Sequence, residues 1–299
     1  MRDALLNLIQ QTIVFEYDLP NDSKGIPKTI ITTDSDKCYS ANDMEAIKNI
    51  IYNSIVEYSF NEYELIDKDY QKLLVVALKS KLRYNEAADD DTKIKYGFFG
   101  EVLLYSILHI LLGVKPLIAR GYFYNPLENT ETKGYDSYHL LERGGNLELW
   151  FGETKFHKNY KSGIDDVLRK IENAISDDYL DKNIIAIVAN HKNNLNVENS
   201  QIENVINEWE SNPEINVCEQ LKKHNIKLVY PILILFEGEE EYDNSIKQIP
   251  LHISDNYTNV SFNLSVEYSI FFILLPLNEV KQIKSDVISW IESKKVLMS

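Results

Sequence analysis

The fold is decided by the segment Gly134–Phe156, GYDSYHLLERGGNLELWFGETKF, which predicts two strands joined by a tight turn. Gly144 and Gly145 mark the turn, because glycine reaches positive φ at little steric cost and both flanks are aromatic or aliphatic. If the loop is symmetric about the two glycines, residues whose numbers add to the same sum face each other. This count predicts a β-hairpin in which Asp136 lies directly opposite Glu153.

The two acidic residues of the hairpin point to metal chemistry. Opposed Cβ atoms lie about 4.5–5.5 Å apart, so two carboxylates there repel unless a cation separates them. Side chains alternate along a strand, so Glu153 and Lys155 share one face. Mg²⁺ prefers carboxylate and water oxygens as ligands, and a nearby lysine can orient the water molecule that attacks the phosphate. Asp136, Glu153 and Lys155 therefore predict phosphodiester hydrolysis with Mg²⁺, or alternatively Mn²⁺; the competing interpretation is a solvated strand edge that matches E-x-K by chance.

A further carboxylate, Glu101, lies within Ile94–Leu112, a run that predicts a helix apolar on nearly every side and therefore buried. A lone ionised carboxylate is costly there unless it is paired, protonated or bound to a metal. Glu101 is therefore a candidate accessory ligand, through water or a second ion. The alternative is a glutamate that pairs with a surface lysine or reaches solvent. Gly97 and Gly100 would let this helix approach a strand closely.

These motifs resemble a known family. Asp136 followed by Glu153-Thr154-Lys155 resembles the D…(D/E)-x-K signature of the PD-(D/E)xK nuclease superfamily, although Tyr135 replaces the proline that names it. The longer pattern is similar to the HamA family, the nuclease subunits of the Hachiman anti-phage defence system. The segments that carry this resemblance are Gly100-Glu101, Lys133–Asp136 and Phe151–Phe156.

The resemblance implies DNA as the substrate and a HamB-like helicase subunit of the same system as the partner that restrains the activity. In such a site Asp136 and Glu153 ligate the metal directly, and Lys155 positions the attacking water or stabilises the developing charge. The sequence has no Gln-Tyr motif of the exonuclease branch, so endonucleolytic and exonucleolytic cutting both stay open. DNA and RNA also stay open on the residues alone.

The charge of the chain limits how it meets nucleic acid. A net charge of −15 over 299 residues argues against a free-standing high-affinity DNA binder, because Lys and Arg supply most non-specific affinity. The segment Lys155–Lys170 nevertheless holds five Lys or Arg against two Asp. His157, Lys158 and Lys161 are therefore candidate nucleic-acid contacts. The acidic remainder favours delivery of the substrate by a partner, or alternatively a non-cutting subunit that only docks on a helicase.

The sequence argues against several other classes of protein. The chain has no P-loop, G-x-G-x-x-G or G-x-S-x-G motif, which argues against nucleotide hydrolysis, dinucleotide redox and serine esterase chemistry. No apolar run approaches the roughly 20 residues that span a bilayer, and the start lacks a signal peptide, so we expect a cytoplasmic protein without membrane contact. Cys38 and Cys218 are far apart and fit neither a disulfide scaffold nor a zinc site.

The order of elements predicts an α/β protein with a restriction-endonuclease-like mixed central sheet flanked by helices. The acidic run Ala87–Thr92 predicts a linker between an N-terminal α/β elaboration, residues 1–91, and a nuclease-like domain, residues 92–299. Capping-box patterns at Ser40 and Ser162 each precede an amphipathic helix. Outside the hairpin, we expect strands at Thr12–Tyr17, Lys28–Thr33, Asn183–Asn190, Lys227–Phe236 and Glu267–Leu275.

Overall fold

The computed structural model describes residues 15–18, 29–32, 41–111, 113–114, 124–125, 130–131, 137–143, 145–180, 201–211, 216–237, 248–249, 251–253, 255–256, 263–277 and 279–294. The strands are β1 (Phe15–Asp18), β2 (Thr29–Thr32), β3 (Tyr124–Asn125), β4 (Thr130–Glu131), β5 (Ser137–Arg143), β6 (Asn146–His157), β7 (Ile226–Glu237) and β8 (Tyr268–Leu277). The helices are α1 (Ala41–Ser59), α2 (Glu62–Leu65), α3 (Tyr70–Val76), α4 (Asp90–Ile94), α5 (Phe98–Ser106), α6 (Tyr160–Ala174), α7 (Gln201–Ser211), α8 (Val217–Lys223) and α9 (Val280–Glu292). Two of them, α3 and α5, continue into π-helical turns at Ala77–Lys81 and Ile107–Leu111.

Within these residues, six strands form one mixed sheet in the order β1-β2-β8-β7-β6-β5, and β3 pairs only with β4. The pairs β2–β8, β8–β7 and β7–β6 are parallel, while the two outer pairs are antiparallel. Strand β7 is apolar along nearly its whole length, as is typical of a parallel strand covered on both faces. The predicted mixed central sheet flanked by helices is confirmed.

Both faces of the sheet are covered. On the face that we call the α6 face, Leu149 and Phe151 of β6 pack with the apolar side of α6, and with residues of α8. On the opposite face, which we call the α5 face, Trp150 and Leu233 pack in a second core with α1, α5 and α9. Helix α1 thus shares a core with elements beyond residue 91, and the division of the chain at that residue stays a prediction. No helix in the described part of the chain is long and apolar enough to cross a membrane.

The predicted hairpin has the predicted register over the residues described. Ser137 pairs with Gly152 and Arg143 with Asn146, which are the pairings that the count about the two glycines requires. Gly145 has φ +83°, a conformation that glycine adopts more readily than other residues do. Asp136 lies outside the described residues, and its pairing with Glu153 stays a prediction.

Two local predictions were wrong in detail. The helix expected to start at Ile94 is interrupted, because Ile94 ends α4 and α5 begins after Gly97 at Phe98. Part of the expected linker is also helical, since the Asp89 side chain accepts the Thr92 backbone N–H and caps α4.

The start of α6 was misplaced as well. Its cap is Asn159, whose side chain accepts the backbone N–H of Ser162, so Ser162 lies inside the first turn rather than at the cap. The expected strand Asn183–Asn190 lies outside the described residues. The strands predicted at Lys227–Phe236 and Glu267–Leu275 are β7 and β8, displaced by no more than two residues at either end.

Candidate active site

Strand β6 carries Glu153 and Lys155 on the α6 face, where their neighbours on β7 are Ile232 and Ile234. The alternation of a strand brings the two side chains together, as predicted, and the Lys155 Nζ donates a hydrogen bond to Oε1 of Glu153. The side chains are 24% and 20% exposed. The E-x-K triplet is therefore a partly buried ion pair and not a solvated strand edge.

Helix α6 adds a second carboxylate to this pair. A connection of only two residues joins β6 to α6. The helix packs on the face of the sheet on which Lys155 lies. The Asp166 Oδ2 lies 4.0 Å from the Lys155 Nζ, and the Asp166 side chain is 21% exposed. The Lys170 Nζ and the Arg169 Nη2 lie 3.0 and 3.5 Å from Asp166 Oδ1. The site consequently holds two carboxylates among three cationic side chains.

Sequence reasoning did not assign Asp166 to the site. Its only signal is its position beside the buried stripe that includes Val167 and Leu168, in the helix that directly follows β6. The neighbouring Asp165 lies beside buried Ile164 in the same way, so this signal does not distinguish the two; in the structure its Oδ1 lies 2.7 Å from Nε2 of His252. Consecutive residues of α6 point in different directions, so Asp165 contacts His252 while Asp166 faces Lys155.

The charges in this cluster influence each other. Burial opposes ionisation of Asp166, but the hydrogen bond from Lys170 and the charges of Lys170 and Lys155 outweigh it, so the pKa of the carboxyl lies below its ordinary value. Burial lowers the pKa of His157, while the negative charge of Asp166 opposes that shift. Asp166 is thus ionised at neutral pH, and His157 is mainly the uncharged imidazole.

The residues predicted to contact nucleic acid lie at the carboxyl end of β6 and the start of α6. His157 is the last residue of β6 and is partly buried, whereas Lys158 and Lys161 are exposed. The Lys161 Nζ lies 6.0 Å from the centroid of the Tyr160 ring. Lys158 and Lys161 are therefore accessible to a polyanion, and together with the exposed Arg169 and Lys170 of α6 they are the cationic residues that we call the basic rim.

Glu101 lies on α5, which packs on the other face of the sheet. A Cβ at Gly100 would lie 2.3 Å from Thr154 Cγ2, so the absence of a side chain there lets α5 lie close against β6. The carboxylate of Glu101 is partly exposed and accepts a hydrogen bond from the Tyr58 hydroxyl at 2.5 Å. In this structure Glu101 therefore has a buried tyrosine as a partner, which neither sequence interpretation included.

The oxygen donors suit a hard cation such as Mg²⁺, because Glu153 is a partly exposed carboxylate whose counter-charge here is a flexible lysine. Among the residues described, no three His, Cys, Asp or Glu side chains are grouped closely enough to hold a metal ion. Asp136, the predicted second ligand, is outside that set. Glu153 and Asp166 present carboxylate oxygens, and Lys155 presents an ammonium group beside them.

The fold and this cluster define an α/β protein with a mixed central sheet, helices on both faces and a carboxylate–lysine site on one strand. The chain matches the family model for HamA over residues 7–291, nearly its whole length, and it belongs to the HamA family. Membership of the Hachiman anti-phage defence system follows from the family. No curated protein matches the chain.

Proposed function

We propose that the protein is a Mg²⁺-dependent deoxyribonuclease that cleaves DNA phosphodiester bonds in anti-phage defence. The observation that carries the proposal is the meeting of Glu153 and Lys155 on one face of β6, with cationic side chains of α6 beside them. A carboxylate that can bind a metal, a lysine next to it and a basic rim are what cleavage of a polyanion requires. Membership of a defence family supports a toxic activity directed at nucleic acid.

The metal, Mg²⁺ or in its place Mn²⁺, is proposed to bind Asp136 and Glu153 directly. Glu101 is proposed as an accessory ligand through water or a second ion, and not as a direct one, because α5 packs on the opposite face of the sheet from Glu153. The register that holds from Ser137 to Arg143 would, if continued by one residue, pair Asp136 with Glu153. Bound there, the ion would supply Lewis-acid activation of water and charge neutralisation. The protein itself would contribute Lys155, which orients the attacking water or stabilises the negative charge that develops on the phosphate oxygens.

Binding of the DNA backbone is assigned to the basic rim. Lys158 and Lys161 are exposed and follow His157 at the end of β6, so phosphates along the start of α6 would hold the strand in register with Glu153. These contacts read no bases. Any sequence preference would have to come from elsewhere.

A helicase subunit of the same system is the proposed partner, and the cytoplasm is the proposed location. The net charge of −15 makes unaided capture of DNA weak, so a partner that already holds DNA would supply substrate and restrain cutting. The same charge favours the second candidate, a subunit with this fold that docks on the helicase and cuts nothing.

The deciding experiment incubates the full chain, alone and with its helicase, with labelled DNA and RNA in Mg²⁺ or EDTA. We expect Mg²⁺-dependent cleavage of DNA that Asp136→Ala, Glu153→Ala and Lys155→Ala each abolish while the variants stay folded by circular dichroism. Glu148→Gln is the matched control, because Glu148 lies on β6 but accepts from Nε1 of Trp150.

Each result has one meaning. Vigorous Mg²⁺-dependent cleavage by folded Glu153→Ala protein would refute the site. Cleavage of RNA alone would correct the substrate, and binding of the helicase with no cleavage under any condition would favour the docking subunit.

A further inference from the structure

We propose that Asp166 is a positioning residue for Lys155: it is the carboxylate to which the Lys155 ammonium moves when a divalent cation binds Glu153. This inference rests on the proposed function, because it concerns how the same site accepts its metal. It assigns a role to a residue that the D…(D/E)-x-K pattern does not include.

Among the described residues, two carboxylates lie beside the Lys155 ammonium. Its Nζ donates to Glu153 on the same strand, and Asp166 Oδ2 lies 4.0 Å away on α6. All three side chains are between 20% and 24% exposed, so their charges are screened less than those of an open surface pair. A small rotation of the lysine side chain exchanges one carboxylate for the other.

Electrostatics favours the exchange. While Lys155 is bonded to Glu153, it competes directly with a cation for that carboxylate. A divalent cation on Glu153 would lie within a few ångströms of the ammonium, and at such distances like charges repel strongly even at an effective dielectric constant of about 20. Asp166 offers the displaced ammonium a second counter-charge and so reduces the cost of metal binding.

Asp166 is itself held in place for this role. Lys170, one turn further along α6, bonds its carboxylate at 3.0 Å, and Arg169 lies 3.5 Å from the same oxygen. These two cations are 64% and 72% exposed, so they hold Asp166 without burying it. The depressed pKa of Asp166 keeps it ionised and able to accept at neutral pH.

The chain provides a close control. Asp165 is the preceding residue on α6 and carries the same charge, but its carboxylate is bonded to His252 at 2.7 Å. Replacing either aspartate by asparagine removes one negative charge from the same region of the protein. Only the Asp166 change removes the second acceptor of Lys155.

The test measures Mn²⁺ binding to the full-length chain by isothermal titration calorimetry, with no nucleic acid present. Asp166→Asn should weaken Mn²⁺ binding about tenfold, as is usual for groups that support a metal ligand, and Asp165→Asn should weaken it much less. Lys155→Met should bind Mn²⁺ at least as tightly as the wild type, because Glu153 then has no competing ammonium. In the Lys155→Met background, Asp166→Asn should have little further effect.

The double variant decides between positioning and simple charge loss. If Asp166 acts only by attracting the cation through space, its removal will weaken binding equally with and without Lys155, and the inference is overturned. Equal losses in the Asp165 and Asp166 variants would overturn it too, while the wild-type metal site would stand.

A second readout monitors the cluster without any metal. The His157 imidazole should titrate at a lower pKa in Asp166→Asn protein, since Asp166 opposes the lowering that burial causes. An unchanged His157 titration by NMR would mean that Asp166 does not face this cluster, and would overturn the inference. Failure of the wild type to bind Mn²⁺ would overturn the proposed metal site together with this role.

Discussion

The Tyr58 hydroxyl donates a hydrogen bond of 2.5 Å to Oε2 of Glu101 and thereby joins the last turn of α1 to the first turn of α5. Tyr58 is only 2% exposed, and its ring packs edge-on against Tyr105 at a centroid distance of 5.7 Å. A donor held this firmly fixes the rotamer of the carboxylate that it bonds. Glu101 is therefore an oriented group, whichever role it has.

The first prediction concerns Glu101→Gln. If Glu101 is an accessory ligand, losing its negative charge should reduce DNA cleavage at low Mg²⁺, and raising the Mg²⁺ concentration should partly restore the rate. The free energy of unfolding should change by no more than about 1 kcal/mol, because Gln keeps an acceptor for Tyr58. Cleavage against Mg²⁺ concentration and thermal unfolding are the measurements.

Tyr58→Phe is the control for this prediction, since it removes the donor but keeps the charge. It should raise the Mg²⁺ requirement less than Glu101→Gln does. Wild-type cleavage at low Mg²⁺ by the Glu101→Gln protein would exclude Glu101 from the site and leave Glu153 and Lys155 unaffected.

Glu101 also illustrates what a sequence can and cannot reveal. The hairpin register was predictable because period-two alternation and a glycine turn are local, and a shift by one residue would turn Leu149 and Phe151 away from the core of the α6 face. The hydrogen bond between Tyr58 and Glu101 was not predictable, because the two residues are 43 positions apart and meet only when α1 packs against α5. Asp166 was missed for a similar reason, since its contact with Lys155 depends on where α6 crosses the sheet.

The break before α5 was hidden by composition. Apolar residues continue with helical spacing from Ile94 to Leu112, so periodicity alone predicts one helix. Only Gly97, where α4 has ended and α5 has not begun, signals the interruption. A glycine within an apolar run is a weak signal by itself, because helices tolerate it at a cost of about 1 kcal/mol.

The second prediction concerns assembly with the helicase. If the excess negative charge of the chain contributes to docking on the partner, the two proteins should form a stable complex at micromolar concentration, and its affinity should fall as ionic strength rises. Size-exclusion chromatography and calorimetry between low and physiological salt would measure this. The cleavage assay should show that the partner restrains cutting in the complex until the helicase engages DNA.

Two results would contradict this picture. Separate elution at low salt would exclude the complex. A complex that forms equally well at all salt concentrations would mean that apolar contacts, and not the net charge of −15, hold it together.

The third prediction concerns Gly100→Ala. A Cβ at this position would lie 2.3 Å from Thr154 Cγ2 and 2.5 Å from Phe156 Cε2. Both distances are shorter than a van der Waals contact between carbon atoms. Alanine favours helix by about 1 kcal/mol over glycine, but forcing α5 away from β6 should cost more, leaving a net loss of about 1–2 kcal/mol. Urea unfolding would measure the change.

A second substitution tests the cause. Thr154→Ser removes Cγ2 and so the closest of the contacts, and in the Gly100→Ala background it should restore part of the lost stability. Gly100→Ala protein as stable as the wild type would show that α5 does not lie this close to β6.

The last prediction concerns Lys284 on α9, a lysine that is 8% exposed. Its Nζ donates to the Ile94 carbonyl at 3.1 Å and lies 4.1 Å from the centroid of the Phe156 ring. These contacts replace water only in part, and burial lowers the pKa of Lys284 from 10.5 to about 8. The protonated side chain is therefore held in the folded protein at a cost of about 3 kcal/mol.

The sign of the pH dependence follows from proton binding. Between pH 8 and pH 10.5 the unfolded chain keeps a proton on Lys284 that the folded protein releases, so this residue makes the protein more stable as pH rises through that window. Below pH 8 both states are protonated, and the full cost is present. Lys284→Met should remove the cost together with the hydrogen bond and the ring contact, for a net gain of about 1–2 kcal/mol at pH 7.

Urea unfolding at pH 7, 8, 9 and 10 would check this, with Lys281→Met as the matched control because Lys281 is a 71% exposed lysine on the same helix. Tyrosines and other lysines also titrate in this range, so the informative quantity is the difference between each variant and the wild type. That difference should shrink with rising pH for Lys284→Met and stay constant for Lys281→Met. A constant difference for both variants would mean that Lys284 is hydrated in solution and that α9 does not bury it against Phe156.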